Sequence, residues 1–362
     1  MRLSNIHSDI VTEINEYIND YKTISNIIIA SPIAFKHNIK TLVCFNKPMD
    51  DMCLPSLTKI VCNNSNITDE HLNELINLKT FRCSNCHNIT DENINKLVNL
   101  KTFHCWNCNN ITDNGIKKLT NLTSLSCGPN FTDDGIKYLT KLTALDCHCC
   151  NGITGVSIQN LPNLTNLTCN DTITNDDIKN LTNLKTLNCG PLINDDGISS
   201  LTKLTLLDCN MFITNHGIYN LTNLTTLNCG DNDYITDEGI MRLSNLTKLL
   251  CGCCQNITDR SIATLSKLTH LDCYKCKHIT DVSIIKLTNL TYLDCVECDG
   301  ITDEGIMKLT NLTELQCNRC VNVSDVGITK LINLVKLRCS ISPTTTRANI
   351  MKLTKLMDFC AD

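Results

Sequence analysis

Aromatic residues make up only 4% of this 362-residue chain, which carries one tryptophan and seven prolines. An enzyme core of this size ordinarily leans on ring packing, so the scarcity points to a core built another way. Long apolar runs are also missing: the longest undiluted stretch is the short Ile27 to Ala30, too short to cross a bilayer. No charged start, apolar run and small-residue cleavage site open the chain, so it is expected to be soluble and not exported, with no membrane partner. The net charge is −5, with lysines and aspartates interleaved. Without a basic stripe to track a phosphate backbone, nucleic acid is not expected as a partner. The phosphate-loop pattern G-x-x-x-x-G-K-[ST], the metallopeptidase pattern H-E-x-x-H and the nucleophile elbow G-x-S-x-G do not occur. His270 and Asp272 lack a nucleophile beside them, so no catalytic residue and no cofactor is expected.

What the chain has instead is a repeat. The phrase L-T-N-L-T-x-L-x-C places its second leucine, or an equivalent, at Ile39, Leu57, Leu78, Leu100, Leu122, Leu142, Leu164, Leu184, Leu204, Leu224, Leu246, Leu268, Leu290, Leu312, Leu334 and Leu356. After irregular intervals of 18 and 21, the spacing is 22 nine times and 20 four times. A fixed period in this range means stacked supersecondary units, none of which can bury its apolar face alone.

Within one unit, Leu315 and Cys317 alternate as the inward residues of a short strand do. A turn follows, then a phrase such as "ITDEGIMKL" (301–309), whose Ile301, Ile306 and Leu309 approximate helical spacing. Thr302 or Asp303 suits a helix cap, and Asp303 and Glu304 suit the positive start of a short helix. Gly305 weakens that helix, so single turns or 3₁₀ pieces are expected opposite the strands.

L-x-x-L-x-L-x-x-C-x-x-I-T-D resembles the leucine-rich repeat in its cysteine-containing subclass, with cysteine here also taking the third leucine position. The resemblance covers roughly residues 39 to 360. It implies an α/β solenoid with a parallel sheet on a concave face and short helices or 3₁₀ turns on the convex face, about 16 strands over residues 39–362. The units beginning at Leu142, Leu164 and Leu204 depart from it, carrying Gly155, Asn175 and Asn215 in place of the aspartate.

The chain holds 26 cysteines. Fourteen of them, from Cys62 and Cys83 through Cys273, Cys295, Cys317 and Cys339, recur at one inward strand position and form a core ladder. A second ladder, Cys86, Cys108, Cys150, Cys254, Cys276, Cys298 and Cys320, falls where the family has Asn or Cys facing buried backbone. Zinc needs four converging ligands, whereas a ladder spreads its sulfurs along a rod, so no metal site is expected. In-line strand positions do not offer disulfide geometry, and reduced thiols point to the cytoplasm, or to the nucleus. The N-x-T sequences at Asn121, Asn223, Asn289 and Asn311 read as by-products of the repeat and not as glycosylation sites.

Residues 1–38 do not follow the repeat. Ile6, Ile10, Ile14 and Ile18 recur at four-residue spacing, and a second helical stretch runs on towards Phe35. One reading is a cap over the first repeat. The same order, Ile6-His7-Ser8-Asp9-Ile10 with Glu13-Ile14, Tyr17-Ile18, Ser31 and Phe35, resembles an F-box. That resemblance implies a substrate adaptor of a cullin-type ubiquitin ligase, similar to members from eukaryotes and large DNA viruses. Ile6, His7, Asp9, Ile10, Ile14, Ile18 and Phe35 would then dock an Skp-type adaptor subunit, and through it the cullin, while the repeats hold an unidentified target protein.

The residues flanking the inward leucine and cysteine point outward on the sheet, the face that solenoids use for binding. They include Arg82, His104 and Trp106 near one end, then His270, Asp272, Tyr274, Tyr292, Asp294 and Arg338, with Glu314, Gln316 and Lys336 among them. Aromatics beside charges are the usual composition of binding hot spots.

Overall fold

A computed structural model of the protein describes residues 41–45, 56–63, 65 and 67–361. The helical segment expected over residues 1–38, with Ile6, His7, Asp9, Ile10, Ile14, Ile18 and Phe35, lies outside the described residues. Backbone proximity divides the chain into two units, the division falling between Ile173 and Thr174.

In the first unit, β1 (Thr41–Phe45), β2 (Lys59–Asn63), β3 (Thr80–Ser84), β4 (Thr102–Trp106), β5 (Ser124–Ser126), β6 (Ala144–Asp146) and β7 (Asn166–Thr168) pair in sequence order, all parallel. The second unit runs β8 (Thr186–Asn188), β9 (Leu206–Asp208), β10 (Thr226–Asn228), β11 (Lys248–Leu250), β12 (His270–Asp272), β13 (Tyr292–Asp294), β14 (Glu314–Gln316), β15 (Lys336–Cys339) and β16 (Asp358–Ala361), again parallel and in order. The register is in step: Leu271 faces Leu293, and Leu293 faces Leu315.

Alternation explains why so short a strand holds. Leu271 and Cys273 are buried while His270 and Asp272, which alternate with them, stay half-exposed. Strands β3 to β7 and β9 to β16 each open on a shared acceptor; before β12 the Thr247 carbonyl accepts the amides of Thr269 at 2.8 Å and His270 at 3.0 Å. The Thr269 hydroxyl also donates to that carbonyl. Ile301, Ile306 and Leu309 are fully buried, and a buried aliphatic side chain contributes about 1.5–3 kcal/mol. Phe81 and Phe103 take the strand leucine's place in the first unit and stack with centroids 5.8 Å apart.

The return path of each repeat from Asp69 onward contains one turn of α-helix, such as Asp303–Ile306. Thr302 is its cap, its hydroxyl accepting from the Glu304 amide. Asp303 has a different task from the one its position at a helix start suggests. Its carboxylate reaches the following repeat, accepting the Ser324 amide at 2.8 Å and the Ser324 hydroxyl at 2.5 Å. The same bridge joins Asp69 to Thr90, Asp91 to Thr112, Asp113 to Thr132 and Asp133 to Thr154 in the first unit. In the second it joins Asp195 to Thr214, Asp237 to Thr258, Asp259 to Thr280, Asp281 to Thr302 and Asp325 to Thr346. Asn175 and Asn215 perform it as amides, to Asn194 and Thr236. Gly155 has no side chain to offer, and Thr174 is closed instead by Asp177 of its own helical turn. This spine of carboxylates was not read from the sequence. It also explains Gly305, where a Cβ would collide with the Asp281 carboxylate.

The cysteine ladders sit where the repeat places them. The strand cysteines are buried, except that Cys189 and Cys209, both in shortened repeats, are half-buried. Thiols of the second ladder donate to carbonyls one repeat back, Cys276 to Cys251 at 3.0 Å and Cys298 to Cys273 at 2.9 Å. In the shortened repeats beginning at Leu164 and Leu204 an asparagine does this with two bonds, Asn170 donating to the carbonyls of Cys150 and Ile153 and Asn210 to those of Gly190 and Ile193. Between the two cysteines, Asn85, Asn107, Cys253, Lys275, Glu297 and Arg319 adopt positive φ, which costs a non-glycine residue about 1–2 kcal/mol. The conformation aims the amide at the next rung, Lys275 N–H meeting the Val296 carbonyl at 2.9 Å, and so keeps the ladder closed through the turn.

Candidate functional site: the outward strand face

The strands present their outward residues in rows, because parallel in-step pairing stacks equivalent positions one strand apart, about 4.8 Å. In the second unit His270 faces Tyr292, Asp272 faces Asp294, Asp294 faces Gln316, and Gln316 faces Arg338. The His270 and Tyr292 rings stack with centroids 5.9 Å apart and planes within 17°. The Gln316 amide donates to the Tyr292 hydroxyl at 2.8 Å, fixing the ring's outer end. Lys336 pairs with Glu314 at 3.4 Å. Tyr274 projects beyond Cys273, with the Lys275 ammonium 4.7 Å from its ring centroid.

The two aspartates are the electrostatic centre of this face. Asp272 accepts only the Tyr274 amide and Asp294 only the Val296 amide, each at 3.1 Å, and neither forms an ion pair among the described residues. Burial pushes the Asp294 carboxyl up to about 6, the Val296 amide opposing and the neighbouring Asp272 charge adding to the rise. Asp272 is raised for the same first reason. Burial beside these carboxylates pushes the Tyr292 hydroxyl up to about 12.

In the first unit Arg82 faces His104, and Ser84 faces Trp106. Trp106 is half exposed, at 50%. Burial, then the Arg82 charge, lowers the His104 pKa from its ordinary value, while Asp146 pulls it upward. The Ser124 hydroxyl lies 3.4 Å from His104 Nε2. Asp146 accepts from Ser126 at 3.1 Å and meets His148 Nδ1 at 2.8 Å. Asp146 and His148 were not singled out in the sequence, although Asp146 occupies the same outward column as Arg82 and His104. The expected residues thus form two groups, Arg82, His104 and Trp106 in one unit, and His270, Asp272, Tyr274, Tyr292, Asp294 and Arg338 in the other. Among the described residues, no helix is long and apolar enough to cross a membrane.

No family profile and no curated protein sequence matches the chain. Solved structures do. The yeast Rad7 chain, solved in complex with Elc1, aligns at 21% identity and TM-score 0.57, over 81% of this chain and 83% of its own. The fold is a leucine-rich-repeat solenoid. TLR13, solved with the single-stranded RNA ssRNA13, aligns at 19% identity and TM-score 0.50, over 85% of this chain and 56% of its own. An internalin, InlF of Listeria monocytogenes, aligns at 23% identity and TM-score 0.47, over 84% and 86%. The leucine-rich-repeat chain described here is a cysteine-rich member of that architecture, its ladders placed as above.

Proposed function

We propose that the outward strand face holds another protein, and that the chain is the substrate-recognition subunit of a cullin-type ubiquitin ligase. One observation carries the first half: Asp272 and Asp294 stand side by side against the His270–Tyr292 stack, partly desolvated and without an ion pair among the described residues, the charges of Lys248 and Arg338 only partly offsetting the burial. Burying two like charges on neighbouring strands opposes folding, and nothing in the repeat requires it, since Asn228 and Leu250 fill the same column elsewhere. A partner that brings positive or hydrogen-bonding groups to this face recovers the cost, and the stacked rings supply the apolar anchor. Arg82, His104 and Trp106 form a second contact area on the first unit.

The ligase half rests on the F-box-like order of Ile6, His7, Asp9, Ile10, Ile14, Ile18 and Phe35, which would take an Skp-type adaptor and, through it, a cullin. Rad7, of the same fold, was solved in complex with Elc1. The test uses the full chain co-expressed with an Skp-type adaptor and cullin. Ile10→Asp with Ile14→Asp should abolish adaptor co-purification and leave target capture intact. Trp106→Ala and Tyr292→Ala should each weaken target capture by about 2 kcal/mol and leave the adaptor bound. If the parent chain takes no adaptor, the protein is a leucine-rich-repeat binding scaffold with no ubiquitin link, and residues 1–38 serve as a cap.

A further inference from the structure

A separate surface lies at the starts of the first unit's strands. An open trough of about 800 Å³ runs across the residues that precede β3 to β6, its lining including Thr58, Lys79, Lys101, Asn121, Thr123 and Lys141. We propose that this trough binds an acidic, extended segment of a protein partner, whose carboxylates meet Lys79, Lys101 and Lys141. The inference rests on the reading of the chain as a protein-binding repeat, but not on the ligase assignment or on the Asp272–Asp294 face.

Lys79 and Lys101 depart from the residue that neighbouring repeats carry. At Thr123, Thr143 and Thr165 the equivalent residue is a threonine whose hydroxyl donates to the carbonyl one rung back, at 3.0–3.1 Å. Lys79 and Lys101 forgo that bond and place two ammonium groups in successive rungs. Their backbones are locked there: the Lys79 carbonyl accepts the amides of Lys101 at 2.8 Å and Thr102 at 3.0 Å, and the Lys101 carbonyl accepts those of Thr123 and Ser124 at the same distances. Adjacent strands stand about 4.8 Å apart, so the two side chains emerge in parallel and repel each other in the absence of an anion. Lys141, two rungs further, contacts the Asn121 side-chain oxygen at 2.7 Å. No carboxylate lines the trough, and among the described residues neither Lys79 nor Lys101 forms an ion pair, in a chain whose net charge is −5.

The geometry favours a peptide over a nucleic acid. Three rungs span roughly 14 Å, which about four residues of extended chain cover, so carboxylates on alternate residues come within reach of successive lysines. The trough's lining holds no aromatic ring on which a base could stack.

The test measures binding of a fluorescein-labelled octaglutamate peptide to the full chain by anisotropy, at about 50 mM and about 300 mM salt. Binding should weaken at the higher salt. Lys79→Thr with Lys101→Thr installs the residue that other repeats carry, and should lower affinity at least about tenfold. The charge-reversing Lys79→Glu with Lys101→Glu should lower it further. Lys308→Glu with Lys330→Glu, at exposed lysines of the second unit, makes the same change in net charge and should leave affinity within about twofold. Tyr292→Ala should not alter octaglutamate binding, which separates this surface from the strand-face reading. The proposal is overturned if the parent chain does not bind the peptide, if the control pair weakens binding as much as the trough pair, or if a single-stranded oligonucleotide of equal charge binds more tightly than the peptide.

Discussion

Asp281 belongs to one repeat and serves the next: Oδ1 accepts the Thr302 amide at 2.9 Å and Oδ2 accepts the Thr302 hydroxyl at 2.6 Å. Thr302 in turn caps its own helical turn, so one carboxylate orients the cap on which that turn depends. Asp281→Ala removes both bonds and leaves a partly buried amide without its acceptor, at a cost of about 2 kcal/mol in urea unfolding. Asp281→Asn should cost about 0.5 kcal/mol, because Asn215 makes the equivalent bridge to Thr236 with an amide. Equal midpoints for the alanine variant and the parent would show that the bridge contributes nothing.

Gly305 gives a second test of the same spine. In an isolated helix, glycine to alanine gains about 1 kcal/mol. Here the added methyl meets the Asp281 carboxylate, so Gly305→Ala should instead lower stability by about 1–2 kcal/mol. Gly305→Ser should be nearly neutral. Ser157 occupies this position in its own repeat and donates to the spine carboxylate of Asp133 at 2.5 Å, the bond that offsets the crowding. A stabilising alanine in thermal melts would mean that the spine is looser than described.

The thiols of the strand ladder should be chemically quiet. Hydrogen bonding with Cys298 and then burial raise the Cys273 pKa well above its ordinary value, and hydrogen bonding with Cys276 and then burial do so for Cys251. At neutral pH these groups stay protonated and react slowly. Denatured protein should titrate 26 thiols, whereas among the described cysteines of the native chain the exposed Cys149 and Cys360 should react first. Cys298→Ala removes the bond to the Cys273 carbonyl and should cost about 1 kcal/mol. Stoichiometric zinc, or rapid native modification at Cys273, would contradict the ladder as a packing device.

The inward half of this fold was legible because periodicity states it directly. Leu271, Cys273 and Ile284 recur at fixed offsets, and burial follows from alternation. The spine was not legible, since Asp303 and Ser324 lie 21 positions apart and Asp303 looks locally like an ordinary helix-start residue. Nor does residue type reveal the positive φ at Lys275 and Glu297, where the need is set by the carbonyl waiting one rung on. On the outward face the rows were legible, yet the contacts within them were not. That Gln316 reaches past Asp294 to the Tyr292 hydroxyl depends on side-chain length across rungs, which no spacing rule encodes.

The face itself can be examined through Asp294. Its carboxyl titrates at about 6 in the folded chain, against about 3.9 for an unperturbed aspartate. Between these values the folded state keeps a proton that the unfolded state has released, so the group's contribution to stability falls as pH rises from about 4 to about 6. The carboxylate is partly solvated, and with screening the net penalty at neutral pH is about 1 kcal/mol. Asp294→Asn cannot ionise. Urea unfolding should therefore find it more stable than the parent by about 1 kcal/mol near pH 7.5, with the difference vanishing near pH 4. The same variant should bind the target protein less well near pH 7.5, because the ionised carboxylate is what the partner meets. If the asparagine chain is instead the less stable one at pH 7.5, the charge supports the fold, and the outward face loses its claim to be a binding surface.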